Sequence, residues 1–266
     1  MNTSLTHSLT HSLTHSLTHS LTKTLAAAMI VAFAVVAGTA NAANITWVNA
    51  SSSTPDANYK PFLEDAGHTV TGMAVSNTPD AGQIATLNAA DLIIVDGSRT
   101  SGSAGSASTW NSLTAPLIMM GAYAADNWNW STGNGSPSGF VAVDTSDPVW
   151  DGITLPHGDG VVTEGIRYMD DPLSGGTIVA SHSSDTEPGD GHGHGIVRWD
   201  AGSFVAGGGE RMFFAAGTDA GTTASLTSLG EDIFLNAVDS TAIPEPASLA
   251  LLGLGSLLIA GRRRRN

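Results

Sequence analysis

The residues best placed to do chemistry lie in one short stretch. His182-Ser183-Ser184-Asp185 is followed by Asp190-Gly191-His192-Gly193-His194. His182, Asp185, Asp190, His192 and His194 together offer imidazole and carboxylate ligands suited to zinc or another divalent metal. On an extended strand, His192 and His194 would point the same way. The opposing consideration is entropy. Glycines on both sides of these histidines raise the cost of ordering a metal site, and the pattern equally describes a solvated loop. No other cofactor is expected. A second candidate is aromatic: Trp128 and Trp130, with Tyr123 nearby, could form a stacking surface for sugar rings, or could instead cover a sheet edge. No nucleophile stands out. The chain has no cysteine, and Ser98, Ser101 and Ser103 lack a Gly-x-Ser-x-Gly elbow. Paired acids such as Asp170-Asp171 are not placed across a substrate by anything in the sequence.

The elements that would position these residues are alternating ones. Residues 44–48 suit a first strand. Phe62, Leu63 and Ala66 fall at helical spacing before Gly67, and an extended run starts at His68. Residues 79–88 suit a second helix, with Pro79 near its first turn. Leu92-Ile93-Ile94-Val95 and Pro116-Leu117-Ile118-Met119-Met120 are continuous apolar runs, as in strands buried on both faces. Residues 126–139 read as a long loop. Shorter strands are predicted at 139–143, 177–180, 196–199 and 211–215. A closing helix is predicted over 226–238, with Leu229, Ile233, Phe234 and Ala237 on its inner face. The expected fold is α/β: an open, mostly parallel, flavodoxin-like sheet with helices on both faces and an irregular, β-rich second half.

Both ends read as addresses rather than fold. Four Ser-Leu-Thr-His repeats place histidines at 7, 11, 15 and 19, ahead of Lys23 and an apolar run over 25–36. Ala40 and Ala42 supply small residues at the −3 and −1 positions, so residues 1–42 form an expected signal peptide cleaved after Ala42. Export would use Sec-type machinery. Residues 43–240 form the expected α/β domain, and residues 241–266 a tail. The tail holds Pro244-Glu245-Pro246, an apolar stretch over 247–260 and the basic cluster Arg262, Arg263, Arg264 and Arg265. That stretch is short against the roughly 20 residues needed to span a bilayer. The arginines would stay cytoplasmic, giving a transient stop in the inner membrane.

In order and composition this tail resembles the PEP-CTERM sorting signal. The resemblance implies an exosortase partner, a diderm bacterium that makes exopolysaccharide, and a final place at the cell surface or in the extracellular matrix. The middle region resembles a class I glutamine-amidotransferase-like, ThuA-like domain over residues 62–70, 90–96, 115–118, 211–214 and 235–238, and at 147–153. In that family a cysteine occupies a strand-to-helix elbow. Here the elbow reads Gly121-Ala122-Tyr123-Ala124, so the family's chemistry does not carry over.

Charge narrows the partners. The chain has 24 acidic against 10 basic residues and a formal net charge of −14. Its middle region holds only Lys60, Arg99, Arg167, Arg198 and Arg211 as cations, so nucleic acid is an unfavourable partner. The sequence therefore describes an exported protein with a non-catalytic binding or structural domain. The alternative is a divergent, metal-assisted hydrolase acting on sugars or exopolysaccharide.

Overall fold

In the computed structural model, residues 42–135, 140–154, 161, 165–181, 193–218 and 220–242 are described. Their strands are β1 (Asn44–Asn49), β2 (Thr69–Ala74), β3 (Leu92–Val95), β4 (Leu117–Met119), β5 (Asn134–Gly135), β6 (Val141–Ala142), β7 (Tyr168–Met169), β8 (Thr177–Ser181), β9 (His194–Trp199) and β10 (Arg211–Phe214). Their α-helices are α1 (Lys60–Asp65), α2 (Ala81–Asn88), α3 (Ala107–Asn111), α4 (Ala122–Asn127) and α5 (Ser228–Thr241).

All ten strands join one sheet, whose main path runs β2-β1-β3-β4-β10-β9-β7-β5, with β8 on β9 and β6 on β8. From β2 to β10 every pairing is parallel. That half has the strand order of a doubly wound flavodoxin-type sheet. Beyond β10 every pairing is antiparallel. The expectation of a mostly parallel sheet is thus corrected. β9 runs back against β10, and short antiparallel strands can extend such an edge without crossover helices.

Hydrophobic run and register decide the core. Leu92–Val95 is buried along its whole length, as parallel strands covered on both faces must be. Trp47, Ile94, Ile118 and Met212 lie side by side across β1, β3, β4 and β10. This face meets α1 and α5 through rings: Trp47 on Tyr59 at 5.2 Å, Tyr59 on Phe234 at 5.3 Å and Phe214 on Phe234 at 4.9 Å. The opposite face carries the row Ile93, Leu117, Arg211 and Trp199, and α3 and α4 cover it.

Local signals place the helix ends. Gly67 takes φ +99° after α1, the left-handed position that glycine occupies without a Cβ penalty. The second helix begins at Asp80 rather than Pro79. Asp80 accepts from the Gln83 N–H at 2.8 Å, and the Gln83 side chain returns the bond to the Asp80 N–H at 3.0 Å, a capping box. α5 keeps Ile233, Phe234 and Ala237 inside, but Leu229 is exposed and Gly230 is buried in its place. A Cβ on Gly230 would sit 1.9 Å from the Val161 carbonyl, so backbone contact at Gly230 sets the rotation of the helix. α3 and α4 lie in stretches that the sequence pattern left without helices.

Candidate functional site

Open α/β sheets bind ligands beyond the carboxyl ends of their parallel strands. Here that region is built from the ends of β1, β3, β4 and β10. Asp96 follows β3 and is 1% exposed. One of its oxygens accepts from Asn49 Nδ2 at 2.6 Å and Trp47 Nε1 at 3.4 Å. The other accepts from Ser98 Oγ at 2.5 Å and the Ser98 N–H at 3.1 Å. Burial raises its pKa above the usual carboxylate range, and the bonds from Ser98, Asn49 and Trp47 pull the other way. With both oxygens already engaged, Asp96 ties loop to sheet rather than facing a substrate.

Beside it, Gly97, Gly121 and Gly217 bring three strand ends together backbone to backbone. A Cβ on Gly97 would lie 2.6 Å from Gly217 Cα, and one on Gly217 would lie 3.0 Å from Gly121 Cα. Residues 216–218 and Thr223 lie against these ends. Gly217 N–H donates to the Met120 carbonyl at 2.8 Å, and Gly97 N–H donates to Thr223 Oγ1 at 3.1 Å. Among the described residues, main chain at Ala216 and Gly217 packs directly on these strand ends.

The elbow itself is present: β4 ends at Met119, Gly121 caps α4, and Tyr123 lies in its first turn. Tyr123 is half-buried, with the Arg167 guanidinium 4.4 Å over its ring. Arg167 Nη1 donates to Asn134 Oδ1 at 2.6 Å, and Asn134 Nδ2 donates to Asp126 Oδ2 at 3.3 Å. Burial, Asp171 and Asp126 all raise Asp170, while His194 lowers it. This polar chain holds the β5–β7 edge to the elbow, and one ring face of Tyr123 is taken by a cation.

Trp128 and Trp130 do not form a sugar-stacking surface; both are fully buried. Trp128 stacks on Trp110 at 4.7 Å and Trp130 on Phe204 at 5.4 Å. Their indole N–H groups donate to the Ala104 carbonyl and to Asn111 Oδ1, each at 2.8 Å. The turn after α4 carries both rings inward, where their apolar area fills the sheet face beneath α3.

Of the metal candidates, His182, Asp185, Asp190 and His192 lie outside the described residues. His194 opens β9, is 2% exposed, and shares a 3.0 Å hydrogen bond between its Nδ1 and Ser181 Oγ. Among the described residues no group of three or more His, Cys, Asp or Glu side chains is placed to hold a metal.

The start of the domain has its own polar contact. Ala42 is exposed and Ala43 is buried; Ala40 lies outside the described residues. Ala43 N–H donates to His68 Nδ1 at 3.3 Å, and His68 Nε2 faces Asp239 Oδ1 of α5 at 3.5 Å. Burial lowers the His68 pKa, and Asp239 opposes it more weakly. As pH falls below about 6.5, the unfolded chain takes up this proton before the folded one does. Stability from neutral His68 is complete above that pH and is lost toward the lower, folded-state value. Asp239 acts in the opposite sense, since burial raises it. His68→Gln should therefore flatten the fall in stability as pH drops below about 6.5. Urea unfolding at several pH values checks this, and an unchanged slope would mean that His68 is not the titrating group.

Residues that sequence reasoning passed over carry much of the polar architecture. Arg99 and Arg211 are fully buried, and Arg198 joins Asp147, Glu210 and α5. A single cation in a polar or mixed segment gave no sign of this. The only available hint was the scarcity of basic residues in the middle region.

The sorting residues Pro244, Glu245 and Pro246 and the arginines at 262–265 lie outside the described residues, as does the apolar stretch over 247–260. Among the described residues no helix is long and apolar enough to cross a membrane. No curated protein matches the chain. Residues 242–265 match the PEP-CTERM protein-sorting motif, a signal that implies processing by an exosortase and export to the cell surface.

Proposed function

We propose that this is a surface or matrix protein whose α/β domain binds or scaffolds rather than catalyses, delivered by its C-terminal sorting signal. The observation that supports the reading is the tight packing at the strand ends, with Gly97, Gly121 and Gly217 in backbone contact and both Asp96 oxygens engaged. Open α/β sheets ordinarily receive their ligands at that end. The domain also resembles the amidotransferase-like outline in its parallel half, without a cysteine at the elbow. The acidic surface suits a solvated extracellular setting, and exopolysaccharide is the proposed neighbour.

Two measurements test the proposal. Replacing Pro244 and Pro246 with Ala and Glu245 with Gln should leave a precursor in the membrane fraction, while the natural protein reaches the surface or medium. An identical distribution would separate delivery from the motif. Purified protein should be retained by exopolysaccharide from a producing strain without releasing new reducing ends. Release that disappears in His194→Ala would instead make it a hydrolase.

A further inference from the structure

The last turn of α5 is held from outside the helix. Arg198 on β9 grips Asp147 with two bonds, Nε to Oδ2 at 3.0 Å and Nη2 to Oδ1 at 3.2 Å. Its Nη1 donates to Glu210 Oε1 at 2.5 Å. The same guanidinium reaches Ser240 Oγ at 2.9 Å and Thr241 Oγ1 at 3.3 Å. The final turn of α5 has no basic residue of its own, so Arg198 supplies the cation that a helix C-terminus favours. Thr241 and Ala242 are buried, at 2% and 7% exposure, and Ala242 N–H still donates to the Val238 carbonyl at 2.9 Å.

The sorting match begins at Ala242, the residue that follows α5. Three residues connect Ala242 to Glu245, and fully extended they span at most about 11 Å. An enzyme that takes an extended peptide into its active site meets a folded domain within that distance.

We propose that the Arg198 clamp gates processing of the tail. The sorting enzyme engages its motif fully only when the Ser240–Ala242 turn opens, so the rate follows the population of that local opening. Arg198 is here a positioning residue, acting through Ser240 and Thr241. The inference rests on the exosortase-sorting reading, and the experiment separates the two.

Precursor-to-mature conversion is followed by pulse-chase in the natural host, using the full chain. The double variant Ser240→Ala with Thr241→Val removes the tail-side bonds and leaves the Arg198 pairs with Asp147 and Glu210. It should be processed several-fold faster, on the order of tenfold, because charge-assisted bonds to the turn are lost. Inserting eight Gly/Ser residues between Ala242 and Ile243 should give a similar gain. In the inserted background the double variant should add nothing, which general destabilisation would not produce. A melting temperature measured on each purified protein checks that the domain remains folded. Equal or slower processing of the double variant, or full additivity with the insertion, overturns the gate while leaving sorting intact. A natural chain that is not converted even when the host's exosortase is present overturns the sorting reading itself.

Discussion

Arg211→Ala should cost on the order of 4 kcal/mol or more, enough to consume a large part of a domain's net stability. The side chain is 1% exposed and works as a hub for main-chain acceptors. Nη1 donates to the carbonyls of Ala115 at 3.0 Å and Glu210 at 2.9 Å. Nη2 donates to those of Asn111 at 3.1 Å and Leu113 at 2.5 Å, with Trp110 at 3.5 Å. Most are carbonyls of the last turn of α3 and the chain leading into β4; those of Leu113 and Glu210 also accept from the Gly209 and Leu117 N–H groups, each at 3.0 Å. Burial lowers the guanidinium pKa to about 10, so it stays charged at neutral pH. Truncation strands several buried acceptors and opens a cavity beneath α3. Arg211→Met keeps most of the volume and isolates the polar part. It should still lose about 2 kcal/mol, since unsatisfied buried carbonyls cost about 1–3 kcal/mol each and some relax toward water. Urea unfolding with an unchanged m-value measures both. A methionine variant as stable as the natural protein would show that the carbonyls find other donors. Arg99 does the same work on the neighbouring loops. It donates to the carbonyls of Val75, Asn77 and Ser103 and lies 4.8 Å over the Trp110 ring.

Gly97→Ala should be the most damaging of the small strand-end substitutions, at about 2–3 kcal/mol by overpacking. Its new methyl would meet Gly217 Cα at 2.6 Å and the Ala216 carbonyl at 3.0 Å. Neither is the far end of a flexible side chain, so strands β3 and β10 must part to admit it. Gly121→Ala meets its nearest atom, the Arg99 carbonyl, at 3.1 Å and should cost less. The order of effects is the test. If Gly121→Ala proved worse in thermal unfolding, the tight contact would lie elsewhere. The result also bears on function, because these contacts lie at the strand ends where this architecture ordinarily receives ligands. A variant that folds with the strand ends parted should show weaker protection of the 216–224 amides in hydrogen exchange.

What was legible in the sequence and what was not divides along physical lines. The run at 92–95 announced a doubly buried strand because apolar side chains on both faces need no knowledge of their neighbours. The helix stop at Gly67 followed from local backbone chemistry, while the second helix, expected from Pro79, starts two residues later behind its Asp80 cap. The sorting signal was legible because it is read as a linear order of proline, apolar stretch and arginines. Other features depended on distant partners. Trp128 and Trp130 have the composition of a sugar platform, and only the turn after α4 sends them inward. The sequence marks strands at 139–143, 177–180 and 196–199, but their antiparallel pairing beyond β10 depends on neighbours remote in sequence. The roles of Arg198 and Arg211 arise from acceptors contributed by segments remote in sequence. The contact among the glycines at 97, 121 and 217 depends on the sheet bringing three remote strand ends together. By itself the sequence marked the buried parallel strands and the sorting motif. Only the tertiary structure decided that Gly97, Gly121 and Gly217 meet at the strand ends and that Arg198 holds the last turn of α5, because both depend on non-local approaches between segments.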